Sequence, residues 1–155
     1  YFTGFKNLDD AQCALMGARA VYDGPVFISL APNGEGMFPG GRTLSEGVAL
    51  CDEYGADVIG VVSDAPAHVL VGFAKEMASA TDKPLLVDAS VRRKDRRQFE
   101  PTDENPYPTA DAVVELAVRL RAQGVQFLRA SGAATPAYTG ALLATVGCGD
   151  VVAPQ

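Results

Sequence analysis

Four short apolar runs, each entered through a glycine or proline and followed by a segment with apolar residues at helical spacing, leave this chain few folds to choose from. The runs are Pro25 to Ala31 (PVFISLA), Asp57 to Val62 (DVIGVV), Pro84 to Ala89 (PLLVDA) and Val125 to Ala130 (VQFLRA). Their apolarity is continuous rather than alternating, as in parallel strands covered by helices. Strands that run the same way need a crossover between them, and the intervening segments supply it.

The first helix is expected to carry Leu8, Ala11, Leu15, Ala18 and Tyr22 inward behind an Asn7 N-cap. The second opens on a capping box, Thr43 with Glu46, buries Leu44, Val48 and Cys51, and stops at Gly55. The third runs from about Pro66 to Ala80 with Val69, Leu70, Phe73 and Met77 inward and His68 in its first turn. A fourth, from Thr109 to about Gln123, buries Val113, Leu116, Ala117 and Leu120. A fifth opens at Thr135-Pro136 and buries Leu142, Leu143 and Val146. The pattern predicts one α/β domain over residues 1–155, built of parallel βα units with right-handed crossovers: half of a TIM-type (β/α)8 barrel.

Composition sets the class. With 48% hydrophobic residues the chain of 155 has material for a core and is not disordered. No apolar run approaches the ~20 residues that span a bilayer, and Tyr1 to Asp10 lack the layout of a secretory signal, so a cytoplasmic protein off the membrane is expected. The net charge is −6, but Arg92 to Arg97 (RRKDRR) carries +4, so the remainder carries −10 and nucleic acid is not an expected partner. The basic hexamer reads either as a solvated loop or as a phosphate-seeking patch. Cys13, Cys51 and Cys148 are too scattered for a disulfide framework or a close-spaced metal motif and read as reduced, buried thiols.

In barrels of this kind, side chains at the carboxyl ends of the strands share a mouth. Here they are Ser29, Asn33, Ser63, Asp64, Asp88, Ser90, Arg129, Ser131 and Thr135, with Ser63, Asp64, Asp88, Arg129, Ser131 and Thr135 the candidate substrate-binding set. Asp64 and Asp88 read two ways: as a carboxylate pair for proton transfer or cation binding, or as a cap for the helix at Pro66 and an acceptor for loop amides. His68 is either a general base or ligand beside Ser63-Asp64 or an ordinary surface histidine. The loop Ser131 to Pro136 (SGAATP) opens a helix and offers amides to an anion. The long connection Ser90 to Pro108 and the stretch Pro39 to Arg42 should hang over the same end.

Four segments in order resemble the homocysteine S-methyltransferase family, a zinc-dependent barrel that methylates a thiol to make methionine. Gly55 to Ser63 (GADVIGVVS) resembles the family's "GAD-IGVNC" strand, and Thr81 to Val87 (TDKPLLV) its "DKPL-V" strand, which the family continues into "YPN" where this chain has Asp88, Ala89 and Ser90. Gln123 to Leu128 followed by Arg129 to Pro136 (RASGAATP) resembles the last strand and its "GGCCGTTP" ending. Asn7 to Ala11 and Val26 to Ser29 fit the helix and strand that precede these. The likeness covers nearly the whole chain and corresponds to the second half of the family barrel, roughly its last four strands.

The resemblance implies zinc on three cysteine thiolates, with the substrate thiol taking the open position and losing its proton there. The matching positions are Ser63, Ser131 and Gly132, and the asparagine before the first ligand is Val62. No metal or cofactor is therefore expected. Three functions follow as expectations: a divergent methyltransferase of methionine biosynthesis without the zinc-dependent activity, a non-catalytic scaffold or subunit, or a half-barrel that binds a small ligand or phosphate. A half-barrel leaves strand edges and an inner face open, so a homo-oligomer or a separate first-half subunit is the expected partner.

Overall fold

The computed structural model describes residues 1–94 and 97–145. Strand β1 (Phe2–Phe5) and helix α1 (Leu8–Arg19) lead into β2 (Phe27–Leu30). A small antiparallel ribbon, β3 (Met37–Phe38) and β4 (Arg42–Thr43), turns through a 3-10 segment at Pro39–Gly41 and delivers the chain to α2 (Leu44–Glu53). Then β5 (Val58–Ser63), α3 (Ala67–Ala80), β6 (Leu85–Val91), α4 (Ala112–Ala122), β7 (Phe127–Gly132) and α5 (Pro136–Thr145) follow. The main sheet has five strands in the order β1-β2-β5-β6-β7, every pair parallel.

The helix starts follow the sequence signals. Asn7 Oδ1 accepts from the amide of Asp9 at 2.9 Å. The Thr43 hydroxyl accepts from the amide of Glu46 at 3.2 Å while Glu46 Oε2 accepts from the amide of Thr43 at 2.6 Å, a complete capping box. Gly55 leaves α2 at φ +85°, a conformation that favours glycine.

Strand order rises monotonically along the sheet, so right-handed crossovers place the helices on one face. The burial pattern agrees. Ile28 and Leu30, Ile59 and Val61, and Leu85, Val87, Ala89 and Val91 pack with Leu15, Val48, Leu70, Met77 and Leu116 of the helices in one core. The alternate residues point the other way. Val58 and Leu86 are buried yet stand outside that core, on the second face.

That second face is concave. The rings of Phe27 on β2 and Phe127 on β7 meet edge to face with centroids 5.1 Å apart. In a flat sheet their strands, three steps apart, would be separated by about 14 Å. The guanidinium of Arg129 on β7 likewise lies 5.4 Å from the ring of Tyr1, which precedes β1 at the opposite edge. The sheet curls until its two edges are bridged by side chains.

Several sequence expectations need correction. Among the described residues the main sheet has five strands rather than four, because Phe2–Phe5 joins β2. The first helix ends at Arg19 and leaves Tyr22 exposed, since the Arg19 guanidinium donates to Gly55 and Gly24 carbonyls and holds the chain in a turn there. Leu143 is 50% exposed rather than buried, and Val146 and Cys148 lie outside the described residues. Cys13 is exposed, because it falls on the outer side of α1. Ser90, Ser131 and Gly132 belong to strands β6 and β7, not to the loops after them. Among the described residues no helix is long and apolar enough to cross a membrane.

Candidate functional site on the concave face

Strand register brings together residues that are far apart in sequence. Asp88 on β6 stands opposite Arg129 on β7, and Ser90 opposite Ser131. The side chain of Asp88 is 1% exposed, and its Oδ2 accepts from Arg129 Nη1 at 3.1 Å. Its Oδ1 is buried and has no hydrogen-bond partner. Burial pushes the Asp88 carboxyl up from its ordinary range, opposed by nearby Ser131 and by the charge of Arg129.

Arg129 continues the network outward through its contact with the Tyr1 ring. Tyr1 Oη lies 3.1 Å from Ser29 Oγ, and the Ser29 hydroxyl, fully buried, donates to Thr3 Oγ1 at 2.9 Å. A polar row thus crosses the hollow of the sheet from β1 to β7. A barrel interior packed with branched apolar side chains would leave no partner for such a row.

Beside this row, at the carboxyl ends of β1, β2, β5 and β6, lies a cleft of about 820 Å³. Lys6, Asn33, Phe38, Ser63, Asp64 and Ser90 line it. Ser90 is two residues beyond Asp88 on the same strand, so both face the hollow, Asp88 one layer deeper. Asn33 and Ser63 are already engaged locally: Asn33 Oδ1 accepts from the amides of Glu35 and Met37, and Ser63 Oγ from the amide of Ala65.

The six sequence candidates therefore separate. Asp88, Arg129 and Ser131 gather on adjacent strands, while Ser63 and Asp64 line the cleft. Thr135 belongs to a different cavity, with Arg92, Arg93 and Lys94. Neither reading of the Asp64–Asp88 pair describes the structure. Each carboxylate has its own arginine: Asp64 Oδ2 is 2.6 Å from both Nε and Nη2 of Arg92, and α3 starts at Pro66 without a side-chain cap. His68 is exposed in the first turn of α3. The sequence reading missed Tyr1, Thr3 and Lys6, which enter the hollow only because Phe2–Phe5 is a strand.

The positions that match the family's zinc ligands do not suit zinc. Ser63 and Ser131 offer neutral hydroxyls and Gly132 offers no side chain. The backbone at Gly132 has φ +70°, and a Cβ there would sit 2.5 Å from the Val91 carbonyl oxygen. Cys51 lies in the core of α2, its thiol pushed up to about 12 by burial, and Cys13 is on the exposed side of α1. Among the described residues no three His, Cys, Asp or Glu side chains converge.

The two thiols should differ sharply in reactivity. Iodoacetamide at neutral pH is expected to modify Cys13 within minutes and Cys51 only as fast as the protein unfolds, read peptide by peptide by mass spectrometry. Equal rates at the two sites in folded protein would mean that α2 does not hold Cys51 in the core. The linkage follows from the same burial. Cys51 keeps its proton better folded than unfolded, so its contribution to stability is complete below about pH 8.5 and declines as pH rises toward 12.

No protein-family model and no curated protein matches the chain.

Proposed function

We propose that this chain is a homocysteine S-methyltransferase-like half-barrel in which zinc-dependent thiol chemistry has given way to binding of a small polar ligand on the concave face. The observation that carries this reading is Asp88, a carboxylate 1% exposed at its side chain, with one oxygen on Arg129 and the other without a partner. A buried acceptor left open costs free energy unless a donor from elsewhere fills it. Arg129 is 45% exposed and has N–H groups beyond the one spent on Asp88, so it suits an anionic group. An amine or hydroxyl to Asp88 and a carboxylate to Arg129 together describe a small zwitterion.

Calorimetric titration of methionine and of homocysteine, each with and without a zinc chelator, tests the reading. Saturable binding that ignores the chelator, and that Asp88→Asn weakens about tenfold, is the expected result. Binding that requires added zinc, or no binding of either amino acid, would overturn it.

The curl of the sheet favours a second reading, in which the chain is one part of an assembly. Both edge strands, β1 and β7, keep an unpaired side, and Phe2 and Phe127 on them are 37% and 38% exposed. A second copy or a separate first-half subunit would cover these edges and complete the barrel. Light scattering at micromolar concentration separates the cases, and a monodisperse monomer that binds no complementary βα chain would remove this reading.

A further inference from the structure

We propose that the cavity over the carboxyl ends of β6 and β7 is an anion site for a small phosphorylated molecule, separate from the zwitterion site on the concave face. The cavity measures about 680 Å³ and is lined by Arg92, Arg93, Lys94, Thr109, Thr135 and Tyr138 among others. The chain has 19 acidic residues against 13 lysines and arginines, yet none of the described residues lining this cavity is acidic. Three consecutive cations are thus concentrated on one concave surface of an otherwise acidic molecule.

The three play different parts. Arg92 is committed to the scaffold: it pairs with Asp64 and donates Nη1 to the Glu104 carbonyl at 2.7 Å, fixing the chain where it leaves β6. Lys94 lines the cavity and makes no ion pair among the described residues, and its Nζ lies 5.0 Å from the Phe99 ring, which lines the neighbouring cavity. Arg93 is exposed and makes no hydrogen bond or ion pair among the described residues, so all its N–H donors are unspent.

The hydroxyls of Thr109 and Thr135 also have no partner among the described residues, and Ala137 in the first turn of α5 lines the same cavity. Arg93, Lys94, Thr109 and Thr135 line one cavity, and a guanidinium fork, an ammonium and hydroxyls suit the tetrahedral oxygens of a phosphoryl group better than a planar carboxylate. The remaining volume exceeds what inorganic phosphate fills, so the phosphoryl group belongs to a larger, small-molecule ligand. A nucleic acid backbone would meet the repulsion of the acidic remainder.

The test is calorimetric titration of the full chain with inorganic phosphate and with glycerol 3-phosphate. Saturable binding of the ester is expected. Arg93→Ala should weaken it by about tenfold or more, as loss of a charge-assisted contact does, and Arg93→Ala with Lys94→Ala should abolish it. Lys75→Ala, which removes an exposed cation from α3, should change nothing, and the melting temperature of Arg93→Ala without ligand should equal that of the parent. No saturable binding of the ester, binding that survives the double substitution, or equal weakening by Lys75→Ala would each overturn the assignment. Binding of inorganic phosphate alone would overturn it too, as an adventitious ion only. Methionine binding plays no part in these outcomes.

Discussion

Arg129→Ala is expected to lower the stability of the domain by about 2–3 kcal/mol at neutral pH and by much less in acid. The reason lies in the asymmetry of its ion pair. Asp88 is 1% exposed at its side chain and has one counter-charge, whereas Arg129 is 45% exposed. Removing the arginine strands a carboxylate in a place water does not reach, and breaking a buried pair in this way costs about 3–5 kcal/mol when both partners are enclosed. The half-exposed arginine reduces the figure, because water can enter the space it vacates.

The pH dependence has a definite sign. Burial already raises the Asp88 carboxyl above its ordinary value, and losing Arg129 raises it further. In acid below about pH 3.9, where the group is neutral folded and unfolded alike, the variant has lost only a hydrogen bond and a ring contact. As pH climbs through the raised folded value, the buried charge appears without a partner and the deficit widens. Urea denaturation at about pH 3 and pH 7 measures both ends, and Asp88→Asn combined with Arg129→Ala should recover most of the neutral-pH loss. An equal deficit at both values would show that Asp88 stays solvated and that the concave face is not the enclosed polar site described here.

Most of the scaffold was legible because its signals are local. Asn7, the Thr43–Glu46 box and Gly55 each fix a helix end within a few residues, and continuous apolar runs mark the inner strands wherever they fall. Strand β1 was not legible. FTGF is four residues long and contains a glycine at φ +82°, and only pairing with β2 makes it a strand. The carboxyl ends of β6 and β7 were cut short for the same reason, since serine and glycine are poor strand formers until the neighbouring strand extends the ladder.

The site divides along the same line. Asp88, Arg129 and Ser131 were visible as strand-end residues, but their grouping depends on the register between β6 and β7, a relation across 41 residues that no local pattern encodes. Asp64 shows the converse: proximity to Pro66 suggested a helix cap, and a distant arginine, Arg92, took the carboxylate instead. Tyr1 reaches Arg129 only because the sheet curls, and curl has no signature in a sequence window.

The second large effect is expected at Gly132. Gly132→Cys, which puts a thiol at the position aligned with a cysteine in the family the sequence resembles, should destabilise the domain by about 2–4 kcal/mol. Any L side chain at φ +70° is strained, and the new Cβ would stand 2.5 Å from the Val91 carbonyl oxygen and 3.2 Å from Ser90 Oγ. The contact is with backbone across a strand pair, so rotating a side chain does not relieve it. Ser63→Cys should be far milder, costing about 1 kcal/mol for the bond that Ser63 Oγ accepts from the amide of Ala65. Thermal denaturation of the two single variants measures the contrast. Combining Ser63→Cys, Ser131→Cys and Gly132→Cys should then yield a weakened domain that takes up no stoichiometric zinc by elemental mass spectrometry. A triple variant with parental stability and one zinc per chain would mean that β7 can present its end as the family does. The expected failure would instead place the misfit to a metal in the backbone, where Gly132 passes too close to Val91 for a ligand-bearing residue to stand.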